Sequence, residues 1–357
     1  MEEYKLSVAS SPHASSPVGT KHLMRDVLIA LIPAMAMGVW VFGPRALTLT
    51  IVSVIFCEIF EWGYCKLLHK PNPIGDLSAA ITGVLLVFVC PVSLPYWTII
   101  IGDFFAIVIV KQLFGGLGTN FLNPALAGRA FLMLCYPVPM TTWAVPGKEN
   151  WLAIFGAGEA GVDYVTGATP LSVDFMKSHI VPDASLADMF IGNIGGCVGE
   201  VSAIALLIGG IYLLAKGVIR IRIPAAYILT VAVLTLIPLF SRAPEGVNVF
   251  TWMLMEIFGG GLFLGAFFMA TDYVTSPNTP KGEIIFGIGA GLLVVFIRYF
   301  GGYPEGVCYS ILVMNILVWL IDKATMPKRF GVTAEMRKAE KEKAKAAKKA
   351  AKEGSEA

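Results

Sequence analysis

Ten stretches of this chain are predominantly apolar, and that feature restricts the fold more than any other. Backbone N–H and C=O groups in a lipid interior find no water, so a segment that crosses must satisfy them internally. Continuous apolar runs do this as helices; the alternating pattern of a transmembrane barrel is absent. With 56% hydrophobic and only 15% charged residues, and a mean hydropathy of +0.72, the 357-residue chain reads as an all-α polytopic membrane protein. The runs are 23–41, 46–68, 77–90, 97–110, 123–135, 194–215, 224–240, 250–270, 283–300 and 306–321. Three of them, 77–90, 97–110 and 123–135, fall short of the roughly 20 residues needed to cross. Short runs punctuated by Gly and Pro predict broken or tilted helices, which are tolerated beside protein or a cavity.

Charge divides the chain further. From Lys323 onward there are eleven Lys/Arg against five Glu, a net of +6, so with +2 overall the rest carries about −4. The predicted organisation is a cytoplasmic extension over 1–20, a first membrane repeat over 21–135, an extracytoplasmic loop over 136–192, a second repeat over 193–323 and a basic cytoplasmic tail over 324–357. Residues 1–20 are Ser-rich, without the basic start and apolar core of a signal peptide. Placing the N-terminus inside puts Lys66, Lys70, Lys111, Lys216, Arg220, Arg222, Lys281 and the tail on the cytoplasmic side. Arg45, Lys148, Lys177, Arg242 and, close by, Arg298 go to the other. The tail suits lipid headgroups or acidic protein surfaces, and no nucleic-acid partner is expected.

An internal repeat runs at an offset of 186. Gly75 aligns with Gly261, Ala80 with Ala266, Pro91 with Pro277 and Phe114-Gly115-Gly116 with Phe300-Gly301-Gly302, although Gly102 faces Ile288. Five segments per half would make the second half inverted relative to the first, with a site expected where the halves meet near the midplane.

Chemistry-bearing residues fall in four places. Glu58 and Glu61 share one face in mid-span, an expensive location that suggests an ion or proton path, or else headgroup-level residues or salt bridges to neighbouring subunits. Asn123-Pro124 can cap a short helix that carries Arg129, and the free amides of such a helix start attract anions or a cofactor edge. Thr271-Asp272-Tyr273 through Pro280 brings hydroxyls, an amide and the Asp272 carboxylate to a turn, suited to a cation or a polar cofactor edge. The fourth place is Asp163-Tyr-Val-Thr166-Gly167-Ala168-Thr169-Pro170 in the long polar loop. There small neighbours leave the Thr hydroxyls uncrowded, and Pro170 biases Thr169 to an extended backbone. It reads as a turn or as an acceptor for a bulky modification. The six cysteines form no CxxC pair and lack iron–sulfur or zinc spacing, and the four histidines are scattered.

These residues carry a resemblance. Ser11-Pro12-His13, the stretch Gly115–Arg129 with its Asn-Pro-Ala-Leu-Ala-Gly-Arg core, Asp163–Leu171 and Ala270–Gly282 resemble one family of membrane subunits. It comprises the D subunit of the Rnf complex, an ion-pumping ferredoxin:NAD oxidoreductase, and the related B subunit of the Na⁺-translocating NADH:quinone reductase. The likeness covers roughly residues 6–328. The resemblance implies that Thr169 carries FMN through a phosphoester, in a motif D-x-x-[ST]-G-A-[ST] that this sequence matches throughout. It implies attachment by a separate flavin transferase, with Asp163 assisting recognition or placing that enzyme's metal. It also implies a second, noncovalent flavin, riboflavin, and two inverted five-helix halves similar to urea and ammonium channels. Further implications are a bacterial cytoplasmic (inner) membrane location, Thr169 on the outer side, and partner subunits of the A, B, C, E and G types.

The function so implied is electron transfer from ferredoxin to NAD⁺ coupled to Na⁺ or H⁺ movement; the residues themselves make Arg129 and Asn123 candidate flavin contacts and Glu58, Glu61 and Asp272 candidates for an ion path. The rival readings are a quinone-reductase B subunit, a small-solute channel or transporter of the inverted-repeat type, and a scaffold without cofactor.

Overall fold

The computed structural model describes residues 19–70, 75–144, 185–237, 247–301 and 306–327. Among these residues the chain is helical, with one isolated bridge between Pro91 and Cys197. Four helices are long and apolar enough to cross a membrane: α1 (Thr20–Phe42), α2 (Pro44–Leu67), α12 (Pro280–Phe300) and α13 (Val307–Thr325). A fifth candidate is a bent pair, α10 (Val249–Phe258) and the run Leu262–Met269, which meet at 57°. The chain is thus a multi-pass helical membrane protein; the described helices give four or five full-length spans, where the apolar runs suggest ten.

Shorter helices complete the body. They are α3 (Ser78–Phe88), α4 (Tyr96–Phe104), α5 (Pro124–Cys135), α6 (Pro137–Met140), α7 (Leu186–Ile191), α8 (Ala203–Ala215) and α9 (Arg222–Leu236). The run Leu262–Met269 starts with one turn, α11 (Leu262–Leu264). α4 continues as a π-helix over Phe105–Gln112, and α11 as another over Gly265–Met269.

The long helices form the periphery. They turn Ile32, Trp40, Ile55, Phe296, Ile316 and Trp319 outward, as lipid contact demands. α3 does the opposite. All but one of its residues are buried, because a helix of eleven residues cannot cross and must end inside protein. Its end leaves carbonyls that need donors. The non-helical segment 193–202 provides two: Val198 N–H donates to the Cys90 carbonyl at 3.1 Å and Gly199 N–H to that of Phe88 at 2.9 Å. Fully buried Arg45 holds the link that follows, with Nε to Val92 O and Nη2 to Leu94 O, both at 2.8 Å. A second buried Arg holds another break. At the break after α10, Arg298 Nη1 donates to Glu256 O at 2.6 Å and Nη2 to Gly259 O at 3.3 Å.

Two expectations change here. The run 194–215 is helical only from Ala203, since its Gly-rich start pairs with α3 instead of with itself. The run 250–270 is interrupted at Gly259-Gly260-Gly261, where Gly260 and Gly261 take φ of 65° and 67°, a region that glycine enters without steric cost. Close helix contact also depends on small residues. α1 packs on α8 at Gly209, where an added Cβ would overlap the Ala30 carbonyl oxygen and stand 3.0 Å from Phe268 Cζ. Gly209→Ala is therefore expected to destabilise the protein by about 1–3 kcal/mol, seen as a lower thermal unfolding midpoint in detergent.

Candidate functional site

Asp163, Thr166, Gly167, Ala168, Thr169 and Pro170 lie outside the described residues. The flanks of that loop are described. On one side Ser93 Oγ donates to the Thr142 carbonyl at 2.6 Å, tying the approach to the buried link after α3. On the other, Ser185 caps α7 by accepting from Asp188 N–H at 3.1 Å. The Ser185 hydroxyl also donates to the Asp188 carboxylate, which holds that carboxyl below its ordinary value.

A second site is built from the ends of short elements. The starts of α3 and α5, the two π-helical stretches and the link 271–274 surround a cavity that is partly open to solvent. Its apolar walls include Ile81, Leu85, Phe267 and Phe268; its polar groups include Thr82, Lys111, Asn120, Asn123, Thr271 and Asp272. A concave, mostly apolar space with a few convergent polar groups is the usual form of a small-molecule site.

The local chemistry explains each placement. Asn123 caps α5, accepting from Ala125 N–H at 3.1 Å and Leu126 N–H at 3.3 Å, and Pro124 starts the helix without needing a donor partner. Its Nδ2 donates to the Met269 carbonyl at 3.4 Å, at the end of the second π-helix. With its amide oriented to satisfy both sides, Asn315 donates to Thr275 O at 3.1 Å and accepts from Asn123 N–H at 3.2 Å. One residue therefore binds the start of α5 to the link after the π-helix. Asp272 accepts from Thr275 Oγ1 at 3.0 Å. A more polar recess shares Val218, Ile219, Thr271 and Tyr273 with the cavity and reaches Arg220, Asn278 and Glu283. Glu283 is paired there with Arg220 and Arg222, each at 2.9 Å. Asn123→Ala is expected to cost about 1 kcal/mol through the lost cap, and to loosen the cavity wall, read as faster backbone amide exchange at Ala125 and Leu126.

Of the residues singled out from the sequence, Asn123 and Asp272 share this cavity. Arg129 does not line it; it is buried further along α5, with Nη2 3.9 Å from Cys197 Sγ. Glu58 and Glu61 do not line it either. Glu61 is 1% exposed and pairs with Lys111 at 2.7 Å, while Glu58, one turn earlier, is only half-buried. Among the described residues no three His, Cys, Asp or Glu side chains gather to hold a metal ion.

Sequence reasoning misses Lys111, Gln112 and Asn120. The charge bias assigns Lys111 to the aqueous face as an orienting charge, and Arg45 and Arg298 likewise to the other face. All three are buried and bonded within the protein, so they carry no orienting information. The available signal is a Lys directly ending the apolar run 105–110, a costly position that commonly marks a partner.

Residues 7–331 match the model of the NQR2, RnfD, RnfE family. Among curated proteins, the chain is 46% identical over 335 residues to the D subunit of the Na⁺-translocating ferredoxin:NAD⁺ oxidoreductase complex of Acetobacterium woodii, covering 93% of this chain and 98% of the relative. It is 42% identical to the D subunit of the proton-translocating ferredoxin:NAD⁺ oxidoreductase complex of Clostridium ljungdahlii, covering 91% and 96%. It is 37% identical to the D subunit of the ion-translocating oxidoreductase complex of Escherichia fergusonii, covering 91% and 98%.

Proposed function

This chain belongs to the NQR2, RnfD, RnfE family, and from that membership we propose that it is the membrane electron-transfer subunit of an ion-translocating ferredoxin:NAD⁺ oxidoreductase. The names of its relatives favour this reading over a quinone-reductase subunit. They also imply a multi-subunit complex, so other Rnf subunits are its partners. One of these relatives is named for Na⁺ and another for the proton, so the transported ion is left as a monovalent cation.

Thr169 carries FMN through a phosphoester, attached by a flavin transferase. The observation behind this is the unbroken motif Asp163-x-x-Thr166-Gly167-Ala168-Thr169 in the one long polar loop. The membrane body consists of two inverted halves. In support, Tyr96–Gln112 moved by 186 falls within α12, and Pro124–Cys135 so moved falls within α13. Gly75 and Gly261, at the same offset, both have positive φ.

The cavity holds the second, noncovalent flavin, riboflavin. Its residues fit that group. Phe267, Phe268 and the aliphatic walls suit a flat aromatic ring, while Asn120, Asn123, Thr271 and Asp272 can bond a polar edge and a hydroxylated chain. Asn120 already donates to the Leu122 carbonyl at 3.0 Å, which fixes its amide beside the cavity. A bound flavin supplies one- and two-electron chemistry; the protein holds it in place and sets its electrostatics. Buried walls exclude water, and the polar recess gives the cavity its aqueous side.

The test is the flavin content of the purified complex. After denaturation and electrophoresis, this chain's band is expected to fluoresce as a flavin, and free flavin is expected in the supernatant. A band without fluorescence would refute covalent attachment, and absence of released flavin would refute the second site.

A further inference from the structure

α9 and α12 make the most extensive contact of any two described helices. A Cβ added at Gly287 would stand 2.9 Å from the Ile223 carbonyl oxygen, and one at Gly291 3.0 Å from that of Tyr227. The contact advances along both helices together, so the two run parallel. Their starts are joined by Arg222 and Glu283 at 2.9 Å.

A helix turns by about 100° per residue. For two parallel helices in this register, Arg222, Leu229 and Val233 of α9 fall on the same side of the contact as Lys281, Ile284, Ile288 and Leu292 of α12. These residues are all exposed, whereas Val231, Thr235, Phe286 and Ala290, on the other side, are buried. The exposed rows are the walls of a groove. Its mouth carries Arg222 and Lys281, and the rest of its walls is aliphatic. The Thr230 hydroxyl, at the contact, donates to the Ala226 carbonyl at 2.7 Å and adds no open polar group. From Arg222 to Val233 the groove runs about 16 Å at roughly 1.5 Å per residue. One leaflet is about as deep, being half of a hydrocarbon core about 30 Å thick.

The mouth is cationic. Glu283 accepts from Arg220 Nη1 through Oε1 and from Arg222 Nη1 through Oε2. The Nε and Nη2 of both guanidinium groups have no acceptor among the described residues. With Lys281, three cations stand against one carboxylate. Asp322 of α13 is engaged by Asn278, through N–H at 3.0 Å and Nδ2 at 3.1 Å. A guanidinium fork and an ammonium both suit a phosphate, and basic pockets between membrane helices take anionic headgroups. A helix of a neighbouring subunit would cover the aliphatic length but would answer the cations only by carrying an acid at that height. A phospholipid supplies both parts in one molecule.

We propose that the groove between α9 and α12 binds one anionic phospholipid, with its phosphate between Arg222 and Lys281 and an acyl chain along the two aliphatic rows. None of these residues lines the cavity, so the site is independent of the flavin reading.

The experiment is photolabelling of the purified, delipidated complex with phosphatidylglycerol that carries a photoactivatable acyl chain, followed by peptide mapping. Label is expected on the peptides that hold residues 229–233 and 284–292 of this chain. Unlabelled phosphatidylglycerol is expected to compete, phosphatidylcholine, whose headgroup has no net charge, far less, and glycerol 3-phosphate not at all. A basic residue near a membrane surface contributes about fivefold in affinity, so Lys281→Gln is expected to raise the half-maximal labelling concentration about fivefold and Lys281→Gln/Arg222→Gln about 25-fold. Lys281→Arg is expected to label as wild type does. Lys281 is exposed and outside the described ion pairs, so its single variants leave the fold intact. Equal competition by phosphatidylcholine would overturn the proposal, as would an unchanged half-maximal concentration in Lys281→Gln. Competition by glycerol 3-phosphate would overturn it in favour of a free-phosphate site. Absence of label from both peptides would overturn it in favour of a groove filled by a neighbouring subunit.

Discussion

Arg298→Met is expected to destabilise the membrane body by about 3–5 kcal/mol, the range for removing one partner of a buried ion pair. Arg298 and Glu256 both have fully buried side chains, with Nη1 2.7 Å from Oε2. Removing the guanidinium leaves the carboxylate in a medium that cannot solvate it. It also strips the Glu256 and Gly259 carbonyls of their donor at the helix break, at about 1–3 kcal/mol for each unsatisfied group. Adding Glu256→Gln removes the stranded charge but not the stranded carbonyls, so the double variant is expected to recover only part of the loss. Thermal unfolding of the detergent-solubilised complex measures both. A single variant as stable as wild type, or no gain in the double, would contradict this account of the break.

Thr169→Ala is expected to abolish covalent flavin entirely, because a methyl group offers no oxygen for a phosphoester. Thr169→Ser keeps the hydroxyl and is expected to retain attachment, as the [ST] choice in the motif implies. Thr166→Ala leaves the acceptor in place and is expected to reduce labelling without eliminating it. In-gel fluorescence ranks the three. Since the loop is a polar surface segment by sequence, none of the substitutions is expected to alter the assembly of the complex, and the wild-type quantity of noncovalent flavin serves as the control.

Much of the fold was legible because membrane helices announce themselves by length and continuity. The runs 23–41, 46–68 and 283–300 became α1, α2 and α12 with ends shifted by a few residues, and Asn123-Pro124 caps α5 as its residue types required. What was not legible depends on long-range pairing. Nothing local distinguishes Ile194 to Ser202 from the start of a helix except its glycines, and its actual partner is more than a hundred residues earlier, at Phe88 and Cys90. The same holds for charge. Arg45, Lys111 and Arg298 look like residues of the aqueous faces until the carbonyls and carboxylates they satisfy are seen.

The candidate site divides along the same line. Asn123 and Asp272 were each visible as a cap and as a turn carboxylate, but only the folded chain brings them to one cavity. Lys111 gained its meaning from the π-helix, which sequence periodicity does not reveal. The Thr169 motif was legible because it is a short, local sequence signal.

The central claim is that this chain carries an electron-transferring flavin on Thr169, and mass spectrometry of the peptide that contains Thr169 tests it most directly. The peptide, isolated from the native complex, is expected to carry the mass of FMN less one water, with fragment ions placing the addition on Thr169. An unmodified peptide, or the same addition on Thr166, would contradict it.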